Sequence, residues 1–237
     1  MEMRRVQEFY DASYASLGFS AQRKYPNEEL CRFIGRNFSL LTSNEKRALR
    51  VLEVGCGSGS NLWMLAREGF DTFGVDLSQE SLALAERMLE GYEVKASLSA
   101  GDMTQLEFVD GFFHAVVDVF SSYCLDALHA QKFIDSVSRV LGKGGLFFSY
   151  FPAKSSEAFT NHKPACMLDD DTLSGIYRAD SPFAGNHYPF RFLYPLEYEQ
   201  MLIDAGFEVQ YSEVVSRTYG RRKEQFSFIT IEARKVS

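Results

Sequence analysis

The pattern of hydrophobic and polar positions changes character near Arg50. Before that residue, apolar side chains recur three and four positions apart, which predicts amphipathic helices over residues 3–17 and 27–41. After it, short and nearly continuous apolar runs alternate with amphipathic stretches. The runs are typical of buried strands and the stretches of helices.

Five strands and the three helices between them follow from this alternation. The predicted strands are Val51–Val54, Thr72–Val75, Leu98–Ala100, Phe113–Phe120 and Leu146–Phe151. The predicted helices are Asn61–Glu68, Ser78–Leu89 (capped by Ser78) and Ala130–Leu141 (ended by Gly142). Strands that alternate with helices indicate right-handed βαβ units and a parallel sheet.

The C-terminal part of the chain predicts a different arrangement. A helix over Leu196–Ala205 follows Pro195, and two long strands follow at about 207–217 and 224–233. The short turn between those strands predicts an antiparallel hairpin. Residues 152–194 match neither period, and we expect an aromatic, loop-rich insertion there. Within it, Asp169–Asp171 fit the cap of a helix over Thr172–Arg178 better than a metal site, so no metal is expected.

Composition and charge narrow the classes of function. The chain has 237 residues, of which 46% are hydrophobic and 24% are charged, as in ordinary globular proteins. The net charge is −7, with −8 in residues 51–150 and +3 in residues 1–50. Proteins that bind nucleic acid backbones usually carry a basic surface, so nucleic acid is not an expected partner.

The cysteines and the hydropathy pattern indicate the compartment. Cys31, Cys56, Cys124 and Cys166 lie far apart, without the spacing of a zinc site or a redox motif. No secretory signal and no run of 18 apolar residues is present, so no membrane partner is expected. We therefore expect a cytoplasmic protein, monomeric or homodimeric, with reduced thiols.

A glycine-rich loop carries the chemistry. Glu53-Val54-Gly55-Cys56-Gly57-Ser58-Gly59 follows the first predicted strand, and Asp76 ends the second. Glycines allow a ligand to approach the backbone closely, and an acid at the end of the second strand can accept ribose hydroxyls. The dinucleotide pattern G-x-G-x-x-G fits poorly, because its sixth position, counted from Gly55, is Ser60.

The loop resembles E/D-x-G-x-G-x-G, the first motif of class I S-adenosylmethionine-dependent methyltransferases. Five further segments resemble that family in order and spacing: Phe73–Ser78, Ala100–Met103, Phe113–Asp118, Arg139–Leu146 and Glu199–Phe207. The resemblance implies an α/β fold with a Rossmann-like, doubly wound seven-stranded sheet. Its implied strand order is 3-2-1-4-5-7-6, with the last strand antiparallel, an N-terminal helical cover and an insertion after strand 5.

The same resemblance implies one methyltransferase domain over residues 1–237. Its parts are an N-terminal cover (1–49), a cofactor-binding half (50–151), a lid or substrate insertion (152–194) and a C-terminal helix and hairpin (195–237).

The resemblance implies S-adenosylmethionine as the cofactor and a set of residues that bind it. Asp76 is expected to hold the ribose, Asp102 and Met103 to address the adenine, and Gly55 to lie along the methionine part. The full expected set is Tyr14, Arg23, Glu53, Gly55, Cys56, Gly57, Asp76, Leu77, Gly101, Asp102, Met103 and Phe120.

Candidates for the substrate site lie in the insertion. His187 is a candidate catalytic base, and Tyr188, Arg191, Tyr194 and His162 are candidates for substrate binding. Packing of the insertion on the core is the alternative for each of them.

The leading hypothesis is methyl transfer to an oxygen or nitrogen of a small molecule, such as a sugar or a natural-product intermediate. The segment after strand 4, Asp118–Tyr123, lacks the signature of nucleobase methylation, N/D-P-P-Y/F. Two alternatives remain: a non-catalytic subunit that binds S-adenosylmethionine, and an NAD-dependent oxidoreductase.

Overall fold

The computed structural model describes residues 6, 8–13, 18–21 and 23–236. Residues 8–13 are helical. The helices that follow are α1 (Glu28–Phe38), α2 (Ser43–Arg47), α3 (Leu62–Arg67), α4 (Gln79–Gly91), α5 (Ala127–Val140), α6 (Glu157–Thr160) and α7 (Pro195–Asp204). The strands are β1 (Arg50–Val54), β2 (Asp71–Asp76), β3 (Ser97–Ala100), β4 (Phe113–Val119), β5 (Leu141–Pro152), β6 (Thr172–Leu173), β7 (Phe190–Arg191), β8 (Phe207–Tyr219) and β9 (Glu224–Lys235).

Seven strands form one sheet in the order β3-β2-β1-β4-β5-β9-β8. The first five pair in parallel, and β9 pairs antiparallel with both β5 and β8. The predicted Rossmann-like sheet, with its antiparallel final strand, is therefore confirmed. In this topology the order in which strands are added to the sheet reverses between β1 and β4, and ligands bind in the crevice at the carboxyl ends of the strands there.

The apolar runs form strands because both faces of the sheet are covered. Every residue of β4 except His114 is buried, and β1 is buried from Val51 onward. On one face, the ring of Phe33 in α1 stacks on Phe148 of β5, with 5.0 Å between ring centroids. Burial on both sides explains why these strands lack the alternation of a half-exposed sheet.

The link between α5 and β5 differs from the prediction. The predicted helix ran to Leu141 and the predicted strand began at Leu146, with a loop between them. In the structure α5 ends at Val140 and β5 begins at Leu141 without a loop. Leu141 pairs with Phe113 and Leu146 pairs with Ala115, so the register of β5 against β4 shifts between these pairs. The glycines between Leu141 and Leu146 lie in this irregular part of the strand.

The insertion contains a small two-stranded sheet, in which β6 pairs antiparallel with β7. The predicted helix over 172–178 is therefore wrong. Thr172 and Leu173 are buried in β6, and the Asp171 carboxylate does not cap a helix but contacts Lys154 at 2.6 Å and Arg191 at 3.1 Å. Two buried cations draw the carboxylate inward, which a local sequence pattern does not reveal.

No helix in the described part of the chain is long and apolar enough to cross a membrane.

Candidate active site

The loop between β1 and α3 needs its glycines. Gly55, Gly57 and Gly59 have φ angles of +61°, +52° and +82°, which residues with side chains rarely adopt. At Gly55 space is also limiting, because an added Cβ would lie 2.3 Å from the Cβ of Ser121. The loop therefore lies directly against the turn that follows β4.

Asp76, at the end of β2, fixes this loop. Its Oδ2 accepts a hydrogen bond from the Gly57 amide at 2.8 Å, and its Oδ1 accepts one from the Ser78 amide at 2.9 Å. Burial raises the pKa of the carboxyl, and these two hydrogen bonds oppose the rise. Each oxygen keeps a further lone pair, so the group can still accept hydrogen bonds from a ligand.

Glu53, near the end of β1, is a buried acid. Its Oε1 accepts a hydrogen bond from Asn61 at 2.6 Å, whereas its Oε2 is buried without a hydrogen-bond partner among the described residues. Burial raises the pKa of the carboxyl to about 8, against the lowering effects of Asn61 and of the charge on Arg23. A buried oxygen of this kind is complementary to a donor or a cation from a ligand.

Asn61 connects Glu53 to the N-terminal part of the chain. Its Oδ1 accepts a hydrogen bond from the backbone amide of Asn27 at 2.8 Å. The side chain of Asn27 caps α1 by accepting from the amides of Glu29 and Leu30. The start of α1 is thus bonded to the wall of the site.

The turn after β4 is shaped by the fully buried Asp118. This carboxylate accepts hydrogen bonds from the amides of Ser121 and Ser122 and from the hydroxyl of Ser149, and burial raises its pKa. The turn holds Phe120 at φ +59°, a conformation that costs a residue with a side chain on the order of 1–2 kcal/mol. The Phe120 ring stacks on Phe183 of the insertion, with 4.4 Å between centroids.

These elements enclose a cavity of about 530 Å³, within the usual range for small-molecule sites. Ten of the twelve residues predicted to bind the cofactor line it: Arg23, Glu53, Gly55, Cys56, Gly57, Asp76, Leu77, Gly101, Met103 and Phe120. Asp102 is not part of the described lining; its carboxylate accepts from the amide and hydroxyl of Thr104 at 2.8 Å. Tyr14 lies outside the described residues.

Beyond Phe120 the cavity wall is aromatic and hydroxylic. Tyr10, from the N-terminal helical residues, and Tyr123, from the turn after β4, line this wall, and Tyr188, from the insertion, bonds to both. Their hydroxyl oxygens form a triangle with separations of 2.7, 2.9 and 2.6 Å. Asn186 donates to the Tyr188 hydroxyl at 2.8 Å, and burial raises the pKa of all three tyrosines.

None of the five candidates for the substrate site is among the described lining residues, and only Tyr188 takes part in the triangle. His187 stacks on Tyr177, with 4.6 Å between ring centroids, and His162 lies 3.0 Å from the carbonyl of Phe159. Arg191 is buried against Asp171, and Tyr194 is 54% exposed. Their roles stay predictions, and their positions do not support contact with a ligand in the cavity.

Several lining residues were not among the predicted site residues, chiefly Phe9, Tyr123, Phe183 and Asn186. Only Tyr123 had a usable signal, since it follows the carboxyl end of a central strand, where ligands bind in this class of sheet. The others come from the N-terminal helical residues and from the insertion, which local patterns do not place next to the sheet.

The described residues fit S-adenosylmethionine. Asp76 can accept the ribose hydroxyls, and the Glu53 oxygen without a partner among the described residues suits an ammonium group. Among the described residues no group of three His, Cys, Asp or Glu side chains could hold a metal ion.

Comparison with known proteins gives the same family. Residues 51–145 match the model of a methyltransferase domain. Methyltransferase YqeM of Bacillus subtilis is 31% identical over 193 residues, which cover 68% of this chain and 74% of that protein. Ajmaline N-methyltransferase of Rauvolfia serpentina is 30% identical over 104 residues, which cover 42% of this chain and 35% of that protein. The chain likewise spans 40% of the length of another curated relative.

Among solved structures, a SAM-dependent methyltransferase from Methanosarcina mazei superposes with a TM-score of 0.67 at 22% identity, covering 79% of this chain and 92% of the other. This likeness shows the shared fold. Together with the extent of the match to the Bacillus subtilis relative, it leads to one conclusion: the chain belongs to the class I S-adenosylmethionine-dependent methyltransferases.

Proposed function

We propose that the protein transfers a methyl group from S-adenosylmethionine to an oxygen or nitrogen atom of a small molecule. The observation that carries this proposal is one continuous cavity with two different ends. At one end lie the glycine loop, Glu53 and Asp76, and at the other lie aromatic rings and hydroxyls. The name of the Rauvolfia serpentina relative, which refers to N-methylation of ajmaline, supports a small acceptor.

The residues divide the work as follows. Asp76 would hold the ribose, Met103 would contact the adenine, and Glu53 and Arg23 would hold the charged methionine end. Bound there, the cofactor supplies a methyl group on a cationic sulfur, which is reactive toward nucleophiles without a metal. Phe120 and Phe183 would exclude water and help to orient the acceptor, and positioning of this kind can supply much of the rate enhancement.

Two measurements on the purified protein test the proposal. Isothermal titration with S-adenosylhomocysteine is expected to show binding, and Asp76→Asn should weaken it by about 10- to 100-fold, since hydrogen bonds to a charged group are lost. Asp71→Asn, at the exposed opposite end of β2, is the matched control and should bind normally. Absence of binding by the folded wild-type protein would refute the proposal.

Labelled S-adenosylmethionine and a metabolite extract address catalysis itself. Transfer of label to a small molecule is expected. Binding without transfer would instead favour a non-catalytic subunit. The expectations of a monomer or homodimer, of a cytoplasmic location and of no nucleic acid partner stay predictions.

A further inference from the structure

The part of the cavity beyond Phe120, which we call the acceptor chamber, has no Asp, Glu, Lys, Arg or His side chain among the described residues that line it. The Arg, Asp and Glu side chains of the described cavity lining are Arg23, Glu53 and Asp76, and all three belong to the expected cofactor end. The chamber itself is lined by Val6, Phe9, Tyr10, Ser13, Phe120, Tyr123, Cys124, Pro182, Phe183 and Asn186. An ion enclosed there would lose its water without gaining a charged partner, so the chamber disfavours charged ligands.

Aromatic rings form much of the chamber. Phe120 and Phe183 stack on each other at an interplanar angle of 19°, and together they offer an aromatic wall. Phe9 lies edge-on to Tyr188, with 5.1 Å between centroids. Aromatic walls gain most from a flat ring, which can contact them in offset or edge-to-face geometry.

The polar groups of the chamber are fixed before any ligand arrives. The Tyr123 hydroxyl lies 2.7 Å from that of Tyr10 and 2.6 Å from that of Tyr188. The side-chain nitrogen of Asn186 donates to the Tyr188 hydroxyl, and its Oδ1 can accept a hydrogen bond from a ligand. The chamber thus presents neutral oxygen atoms that can accept a hydrogen bond from a ligand N–H.

A strong base is missing from the chamber, as far as the chain is described. Burial raises the pKa of Tyr10, Tyr123 and Tyr188 above the usual value, and it raises the pKa of the Cys124 thiol to about 12. These groups therefore stay protonated at neutral pH. No histidine occurs in the described lining. A nucleophile that had to lose a proton before attack would find no acceptor for that proton among the described lining residues of the chamber.

From these features we infer that the methyl acceptor is an uncharged, planar ring compound whose nucleophile is a neutral nitrogen. The inference rests on the proposed function and narrows it. The nitrogen lone pair forms the new N–CH₃ bond while the S–CH₃ bond breaks, and the sulfur keeps the electrons of the broken bond. The nitrogen becomes cationic, and its N–H proton, where it has one, passes to solvent water after the transfer.

The chemical class is tested with labelled S-adenosylmethionine, an unfractionated metabolite extract and mass identification of the labelled product. Label on a nitrogen of an uncharged ring compound is the expected result. Label on an oxygen, on a carboxylate, phosphate or aliphatic ammonium compound, or on a macromolecule would overturn the inference and leave methyl transfer intact. Binding of S-adenosylhomocysteine without any labelled product would overturn the proposed function itself.

The acceptor found in that screen then tests the role of the hydroxyls. Tyr123→Phe should raise KM for the acceptor about tenfold, the equivalent of one lost hydrogen bond, and should leave S-adenosylhomocysteine affinity within about twofold. Tyr177→Phe, on a ring that stacks on His187 outside the described lining, is the matched control. An unchanged KM in Tyr123→Phe would remove these hydroxyls from acceptor recognition.

Discussion

The pKa of Glu53 lies far above that of an acid on the surface. Its carboxyl is 2% exposed, and burial raises its pKa from 4.5 in the unfolded chain to about 8. Between these two values the folded protein keeps a proton that the unfolded chain has lost. The free energy of unfolding therefore decreases as the pH rises from 4.5 to about 8. Below pH 4.5 the group is protonated in both states, and no stability is lost through it.

Glu53→Gln should remove this dependence, because the amide can still accept from Asn61 but cannot ionise. Relative to wild type, the variant should gain about 3 kcal/mol between pH 5 and pH 8. Chemical denaturation at both pH values measures the difference. Asp76 and Asp118, whose pKa values burial also raises, stay in both proteins and cancel in the comparison. Parallel pH profiles for variant and wild type would contradict the prediction.

The conformation of the loop between β1 and α3 requires a residue without a side chain at position 55. At Gly55 both the positive φ and the neighbouring Ser121 oppose a Cβ, whereas Gly35 lies in α1 with nothing within 4 Å of an added Cβ. The same chemical change should therefore have opposite effects at the two positions.

Gly55→Ala should lower the free energy of unfolding by more than about 2 kcal/mol and abolish S-adenosylhomocysteine binding. Gly35→Ala should raise stability by about 0.5–1 kcal/mol, because alanine is the better helix former, and should leave binding intact. Thermal or chemical denaturation and titration measure both effects. Normal binding by Gly55→Ala would mean that the loop can open without loss.

Local patterns were enough for most of the parallel sheet. The strand ending at Asp76 and the helix capped by Ser78 were predictable, because apolar runs, glycines and caps act over a few residues. The direct passage from α5 to β5 was not, because the glycines after Leu141 indicate a loop when no neighbouring strand is considered. Ten of the twelve residues predicted for cofactor binding therefore line the cavity, and Gly55, Gly57 and Asp76 are among them.

The acceptor chamber could not be predicted in this way. Its hydroxyl triangle joins residues 113 and 178 positions apart along the chain, and no periodicity carries such information. His187 illustrates the resulting error: residue type alone favoured it, yet it is its neighbour Tyr188 that bonds to Tyr123 of the chamber wall.

At the scale of the whole molecule, the insertion is clamped to the C-terminal hairpin. The Nε of Arg178 donates to Oε1 of Glu224 at 3.0 Å and to Oε2 at 2.8 Å, and its Nη2 donates to Oε2 at 2.6 Å. Glu224 is 1% exposed. The same segment supplies Phe183 and Asn186 to the chamber. Loss of the clamp should therefore disturb both stability and acceptor binding.

Arg178→Ala should destabilise the protein by about 3–5 kcal/mol, because it leaves Glu224 buried without its partner. Adding Glu224→Gln should recover part of that loss. Lys223→Ala, which removes an exposed ion pair with Asp180 at 3.7 Å, is the control and should change stability by less than about 0.5 kcal/mol. Chemical denaturation measures the free energy of unfolding of each variant. Equal losses in Arg178→Ala and Lys223→Ala would show that the ion pair between Arg178 and Glu224 stabilises the protein no more than an exposed one.

The hydrogen bonds of Asn61 have a consequence for cooperativity. The amide nitrogen of this side chain bonds to Glu53, and its oxygen bonds to Asn27, the residue before α1. The wall of the cavity and the start of α1 are therefore energetically coupled. Coupling between two sites is reciprocal. A ligand that binds Glu53 should therefore stabilise the start of α1. Stabilising the start of α1 should in turn raise the affinity for that ligand by the same factor, so hydrogen exchange at the start of α1 should depend on whether the site is filled.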